Sequence, residues 1–192
     1  MDPTTTQIHQ CESTDYYETP PHLFSLLNSF FNFQWDVCAT SENAKVAGRF
    51  FSEAQDALTQ DWYQKANVVF MNPPYSKKGR KDAFIKKALE ESKRGVTTVA
   101  ILPAKTDTAA HHDYIESAAQ VQIINLRGRP RFFLNNVITG SSGRSPIMVV
   151  IFWGDGFLRN ELEKPVRAAV LNYRSRSGKA ADGKRMIGEN NG

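Results

Sequence analysis

Cysteine is scarce in this 192-residue chain, and the two that occur, Cys11 and Cys38, stand in unlike surroundings. That argues for free thiols and against a disulfide framework or a structural zinc site. Long apolar runs are missing, so nothing reads as a membrane span. The polar start, residues 1–14, has no signal-peptide core, and a cytoplasmic location is expected. Histidines number four, and the adjacent His111 and His112 point to different faces of a helix, a poor metal site. No metal is therefore expected, and each of the two reads as a structural, surface or cleft residue. There is no internal repeat. Charge of one sign is only mildly in excess, at +4 with a pI near 9.1, which suits a polyanionic partner without requiring one.

Hydrophobic residues at 41% and charged residues at 23% describe a soluble globular chain. Its length suits one domain with a substantial core. A flexible segment over 1–14, a single domain over 15–173 and a flexible basic tail over 174–192 are expected.

The stretch with the most chemical content is Asn67-Val68-Val69-Phe70-Met71-Asn72-Pro73-Pro74-Tyr75. Four consecutive apolar residues predict a short strand buried on both faces. Pro73 and Pro74 then end it abruptly, because neither can donate to a ladder and both hold the backbone extended or turned. If the sheet is parallel, this turn lies at the carboxyl edge, where open α/β sheets bind ligands. A planar heterocycle with an exocyclic amine fits such a turn. The Asn72 side-chain oxygen and the Pro73 carbonyl each accept one amine proton, and the Tyr75 ring offers a face for stacking. The bland alternative is a Pro-Pro loop with a packed tyrosine.

Around this stretch the elements alternate. Leu23, Phe24, Leu26, Leu27, Phe30 and Phe31 have helical spacing, with Thr19 as predicted N-cap and Pro20 in the first turn; the free N–H groups there also suit an anion. Residues 33–39 predict the first core strand, with Asp36 near its end, where a carboxylate can bind an ammonium group or simply meet solvent. Cys38 and Ala39 are small enough to let a ligand approach, and Cys38 reads as packing. Thr40-Ser41-Glu42-Asn43 reads as a loop and cap leading into a short helix through Val46 or Ala47, and Arg49-Phe50-Phe51 as a second strand. In the next loop Asp56 suits an adenine amine or ribose hydroxyl and Trp62 a ring, or they are a turn residue and a core anchor. A helix is predicted from Asp82 to a Gly95 stop, then a strand over 96–102, a parallel crossover. Strands over 121–126 and 147–153 are expected to pair antiparallel, and a final helix to run from about Glu161 to Tyr173. Basic residues gather in two loops: Lys77, Lys78, Arg80 and Lys81 after the Pro-Pro turn, and Arg127, Arg129 and Arg131 in the 127–146 connection.

Asn72-Pro73-Pro74-Tyr75 resembles the catalytic motif of S-adenosylmethionine-dependent amino-methyltransferases. Together with Thr19-Pro20, Asp36-Val37-Cys38-Ala39, Asp56-Ala57-Leu58 and Leu102-Pro103-Ala104-Lys105-Thr106-Asp107, it makes residues 17–153 resemble the small phage-type DNA N-6-adenine-methyltransferases. That resemblance implies an α/β, Rossmann-like methyltransferase fold, with a mostly parallel seven-stranded sheet and an antiparallel C-terminal strand. It implies S-adenosylmethionine as cofactor, its methionine part held by Thr19 and Asp36 with Pro20, Cys38 and Ala39 alongside, and its nucleoside part by Asp56. Within the catalytic motif Asn72-Pro73-Pro74-Tyr75, Asn72, Pro73 and Tyr75 would hold the target adenine, which must leave the stack to reach a buried pocket. The first-strand loop lacks the Gly-x-Gly of larger methyltransferases and has Cys38-Ala39-Thr40 instead.

The expected partner is double-stranded DNA, contacted by Lys77, Lys78, Arg80, Arg127, Arg129 and Arg131, with the enzyme a monomer or weak dimer. Two other readings share the motif: methylation of RNA adenine or protein glutamine, and a degenerate methyltransferase that only binds nucleic acid.

Overall fold

The computed structural model describes residues 18–75, 79–134, 137–138 and 145–173. The expectations for 1–14, for Lys77 and Lys78 and for the tail lie outside the described residues. Three layers form: a five-stranded sheet in the order β1-β2-β3-β7-β4 with helices on both faces. The strands are β1 Trp35–Asp36, β2 Val68–Met71, β3 Thr97–Pro103, β4 Val121–Asn125 and β7 Ile147–Phe152. A separate ribbon pairs β5 Phe133–Leu134 with β6 Val137–Ile138.

β1, β2 and β3 are parallel neighbours. β7 runs antiparallel between β3 and β4, so β1 to β4 all point one way and share one carboxyl edge. Their apolar runs explain the central position. Every residue of β2 and β7 is buried, because helices cover both faces. Val68, Phe70, Val99, Ile101, Val149 and Ile151 meet helices α1 (Pro21–Phe31) and α4 (Gly156–Asn172) on one side. Val69, Met71, Ala100, Leu102, Val150 and Phe152 meet α2 (Arg80–Ser92) and the helix that starts at α3 (Ala109–His111) and widens into a π turn, His112–Glu116, on the other.

Several sequence expectations need correction. The sheet has five strands among the described residues; Phe50 adds only a single parallel bridge to Asp36. The first strand is shorter than expected, two residues, Trp35–Asp36. The short helix expected after Thr40-Ser41-Glu42-Asn43 does not form. The Lys45 N–H that such a helix would use is taken by the Asp36 carboxylate at 3.0 Å, and Asn43 Oδ1 accepts the Thr40 N–H. Thr19 does not cap α1. Pro20 is the N-cap and Pro21 follows it, leaving Thr19 one position too early for its hydroxyl to reach the first free N–H groups. The last helix begins at Gly156, where Asp155 accepts the Phe157 and Leu158 N–H groups. The 127–146 connection contains the β5-β6 ribbon. Trp62 is fully buried and donates to the Ala57 carbonyl at 2.8 Å, so it is a core anchor.

One packing contact fixes how β7 leaves the sheet. A methyl group on Gly154 would collide with the backbone of Gly95 and Val96, and its N–H donates to Thr97 Oγ1. Gly154→Ala must push the start of β3 away from the end of β7, and overpacking of this kind costs about 1–3 kcal/mol. A fall in denaturation midpoint with an unchanged m-value is the expected result; an unaltered midpoint would mean that the two strands part freely.

Candidate active site

Four of the sequence-selected residues, Thr19, Asp36, Cys38 and Asn72, line one pocket. It opens at the carboxyl edge, where β1 and β2 end. Sequence reasoning missed its other walls, Glu18, Asn43, Lys45 and Phe70. Phe70 was legible only as a strand residue, and no local pattern marks Glu18 or Lys45 for a cleft.

Asp36 closes the pocket floor at 2% exposure. Its carboxylate accepts the Cys38 N–H at 3.2 Å and the Lys45 N–H at 3.0 Å, which is what bends the chain around it. Burial pushes its pKa up to about 6, against the lowering pull of those two N–H groups and the Lys45 charge. Burial, and then the Asp36 charge, hold the Cys38 thiol well above its ordinary value. It is protonated at neutral pH and packs as a small apolar group. Lys45 Nζ reaches Glu18 at 2.8 Å, with side-chain exposures of 15% and 4%. Thr19 is 1% exposed, and its hydroxyl has no partner among the described residues. Pro20 continues into α1, and the Ala39 N–H donates to the Phe51 carbonyl.

The Pro-Pro turn is built by subtraction. Thr97 donates to the Asn67 carbonyl, and the parallel register then alternates in steps of two. The donor due at the Ile101 carbonyl is the N–H of position 73. Pro73 has none, so the ladder ends there. The Tyr75 hydroxyl lies 2.7 Å from that carbonyl and 2.8 Å from Asn72 Oδ1. Tyr75 thus pins the turn to β3 and holds the Asn72 side chain at the pocket. Tyr75→Phe keeps the ring but strips the Ile101 carbonyl of this donor, a loss of about 1–3 kcal/mol. Its melting temperature should drop by several degrees; equal melting curves would show that the hydroxyl contributes nothing to the turn.

Asp56 and Arg80, chosen for different partners, are joined to each other at 3.0 Å. Asp56 has the left-handed φ of 44°, fixed in part by the Leu58 N–H on its carboxylate. Arg80 also lies over the Phe84 ring. Arg127, Arg129 and Arg131 are exposed and leave β4 at the same carboxyl edge as Asn72. Three strand spacings separate β4 from β2, roughly 14 Å. From there the chain crosses back to the pocket, where the Phe133 and Glu18 backbones exchange hydrogen bonds of 3.1 and 2.8 Å.

A sequence profile of the DNA N-6-adenine-methyltransferase (Dam) family matches residues 6–186. The chain belongs to this family. A DNA N-6-adenine-methyltransferase of Escherichia phage T1 is 32% identical over 108 residues, which are 56% of this chain and 43% of that relative. The chain therefore spans less than half the length of the curated relative it matches. Among the described residues no cluster of His, Cys, Asp and Glu is arranged to hold a metal ion, and no helix is long and apolar enough to cross a membrane.

Proposed function

We propose that this chain transfers a methyl group from S-adenosylmethionine to the exocyclic N6 amine of adenine in double-stranded DNA, taking the base out of the stack. The observation that carries the reading is the convergence of the Asn72 end of β2 and the Asp36 end of β1 on one pocket. The family match supports the choice of acceptor. We read the fold as Rossmann-like, supported by four co-directional strands and the antiparallel β7 inserted between β3 and β4.

The donor set fits S-adenosylmethionine. Thr19 offers a buried unpartnered hydroxyl and Asp36 a buried carboxylate, which suit the carboxylate and ammonium of its methionine part. Cys38 lines the pocket with Thr19 and Asp36, the buried Pro20 and Ala39 follow Thr19 and Cys38 in the chain, and Asp56, steadied by Arg80, takes the nucleoside part. The cofactor supplies an electrophilic methyl group.

The protein's own contribution is at the acceptor. The adenine amine is a poor nucleophile because its lone pair is delocalised into the ring. Asn72 Oδ1 and the Pro73 carbonyl accept its two protons, favouring a more tetrahedral nitrogen and stabilising the positive charge that develops there. Pro74 stiffens the turn, and Tyr75 presents its ring to the base. Holding the nitrogen in line at near-attack distance supplies much of the remaining acceleration. A stacked base cannot reach such a turn, hence flipping.

Lys77, Lys78, Arg80, Arg127, Arg129 and Arg131 are the proposed DNA contacts, on a monomer or weak dimer in the cytoplasm. Arg127, Arg129 and Arg131 are exposed at the edge that carries Asn72, as phosphate-positioning groups should be. Replacing those three by alanine should raise the DNA KM and cut the slope of log affinity against log salt by up to about three. A slope equal to wild type would remove them from the DNA interface.

The deciding assay offers labelled S-adenosylmethionine with unmethylated duplex DNA, RNA or protein extract, followed by nucleoside analysis. Label in N6-methyladenine of DNA is expected. Label in RNA or protein alone would move the acceptor, and none at all would reject the activity.

A further inference from the structure

Two charged residues of the pocket have no part in the chemistry above. Glu18 and Lys45 are 27 positions apart, yet their side chains meet at 2.8 Å while almost wholly buried. A buried ion pair is weak support for stability, since the cost of desolvating both charges offsets most of their attraction. Its placement is more informative. Both residues line the cleft with Asp36 and Thr19. Lys45 has three N–H donors and uses one on Glu18. The Thr19 hydroxyl beside them has no partner at 1% exposure. Neither residue is free to drift: the Glu18 backbone is bonded both ways to Phe133, and the Lys45 N–H to Asp36. One wall therefore presents a fixed cation, a hydroxyl and two carboxylates within a single cleft.

We infer that Glu18 and Lys45 form a clamp specific for a zwitterionic α-amino-acid head. Lys45 and the Thr19 hydroxyl take its carboxylate, and Glu18 joins Asp36 on its ammonium group. A simple amine or a simple acid would engage only one member of this ion pair, whereas the zwitterion engages both, and that difference is the source of selectivity. The clamp rests on the reading of this pocket as the site of the methyl donor. It adds a determinant of which adenosine derivatives are admitted.

Calorimetric binding to three ligands tests it: S-adenosylhomocysteine with the complete head, decarboxylated S-adenosylmethionine without the carboxylate, and 5′-methylthioadenosine without the head. Wild type should prefer the first over the other two by at least about tenfold. Lys45→Met should erase the preference over the decarboxylated ligand, while 5′-methylthioadenosine binds within about threefold of wild type. Glu18→Gln should lose affinity for both ligands that carry the ammonium. The double variant Glu18→Gln/Lys45→Met removes both charges together, and thermal melts will establish that it folds. It should bind all three alike. Equal losses for all three ligands in the variants, or unchanged preference, would overturn the clamp and leave the donor site standing. Wild-type protein that binds none of the three would overturn the donor site and the clamp with it.

Discussion

Alanine at Asn72 is expected to lower the turnover of methyl transfer by at least about 10²-fold, while the dissociation constant for the methyl donor stays within about threefold. The two effects separate because of where Asn72 stands. It follows the last residue of β2 and lines the pocket with Thr19, Asp36 and Lys45; in the proposed mechanism it serves the acceptor and those three serve the donor. In the proposed mechanism its side chain accepts an amine proton that is shared more strongly as positive charge grows on nitrogen, so its loss should fall on the transition state. Tyr75 would still reach the Ile101 carbonyl at 2.7 Å, which keeps the turn in place. Single-turnover kinetics with separate donor titration would measure both quantities. Wild-type turnover in the variant would sink the proton-accepting role, and a parallel collapse of donor binding would make Asn72 a structural residue of the pocket.

Neutralising Asp36 should produce the largest loss in donor affinity, and should also remove its dependence on pH. The carboxyl, raised to about 6 mainly by burial, must be ionised to hold an ammonium group. Wild-type affinity should therefore be flat above pH about 6 and fall by up to about tenfold per unit below it. The groups around it limit the choice of titrating residue. They are the neutral Cys38 thiol, the Lys45 ammonium and, through Lys45, the Glu18 carboxylate. Asp36→Asn should bind at least about tenfold more weakly at pH 8 and show no such fall. A wild-type profile flat down to pH 5, or a variant that keeps the profile, would assign the titration elsewhere.

Stability should move the other way. A carboxyl whose folded pKa lies above its ordinary 3.8 is penalised when ionised, so its contribution is most favourable below 3.8 and is lost as pH rises to about 6. For this fully buried group the loss is on the order of 3 kcal/mol. Over that window the unfolding free energy of Asp36→Asn should gain on wild type as the pH is raised, which denaturant titrations at several pH values will measure.

The long, consistent signals were read correctly in sequence. Val68-Val69-Phe70-Met71 bounded by Pro73 could be nothing but a short buried strand that stops, and the helix of residues 21–31 declares itself through Leu23, Leu27 and Phe31, all buried on one face. Where local signals compete with a distant acceptor or with proline, the sequence misled. Thr40 to Asn43 looks like a cap leading into a short helix, but Asp36 takes the Lys45 N–H that would have closed its turn. Thr19 looks like a cap and is not one, because two prolines move the helix start forward by a residue.

The motif by itself determined the chemistry on offer: an asparagine oxygen and a proline carbonyl at a strand end, and a tyrosine ring beside them. Residue types alone sufficed, since proline cannot donate and four apolar residues cannot remain in water. Only the tertiary structure decided which charges would face that motif. Glu18 and Lys45 come together across 27 positions, and Asp56 is joined to Arg80 across 24. Such pairs depend on where loops at the ends of different strands converge. That convergence is set by the order of strands in the sheet, which no local spacing encodes.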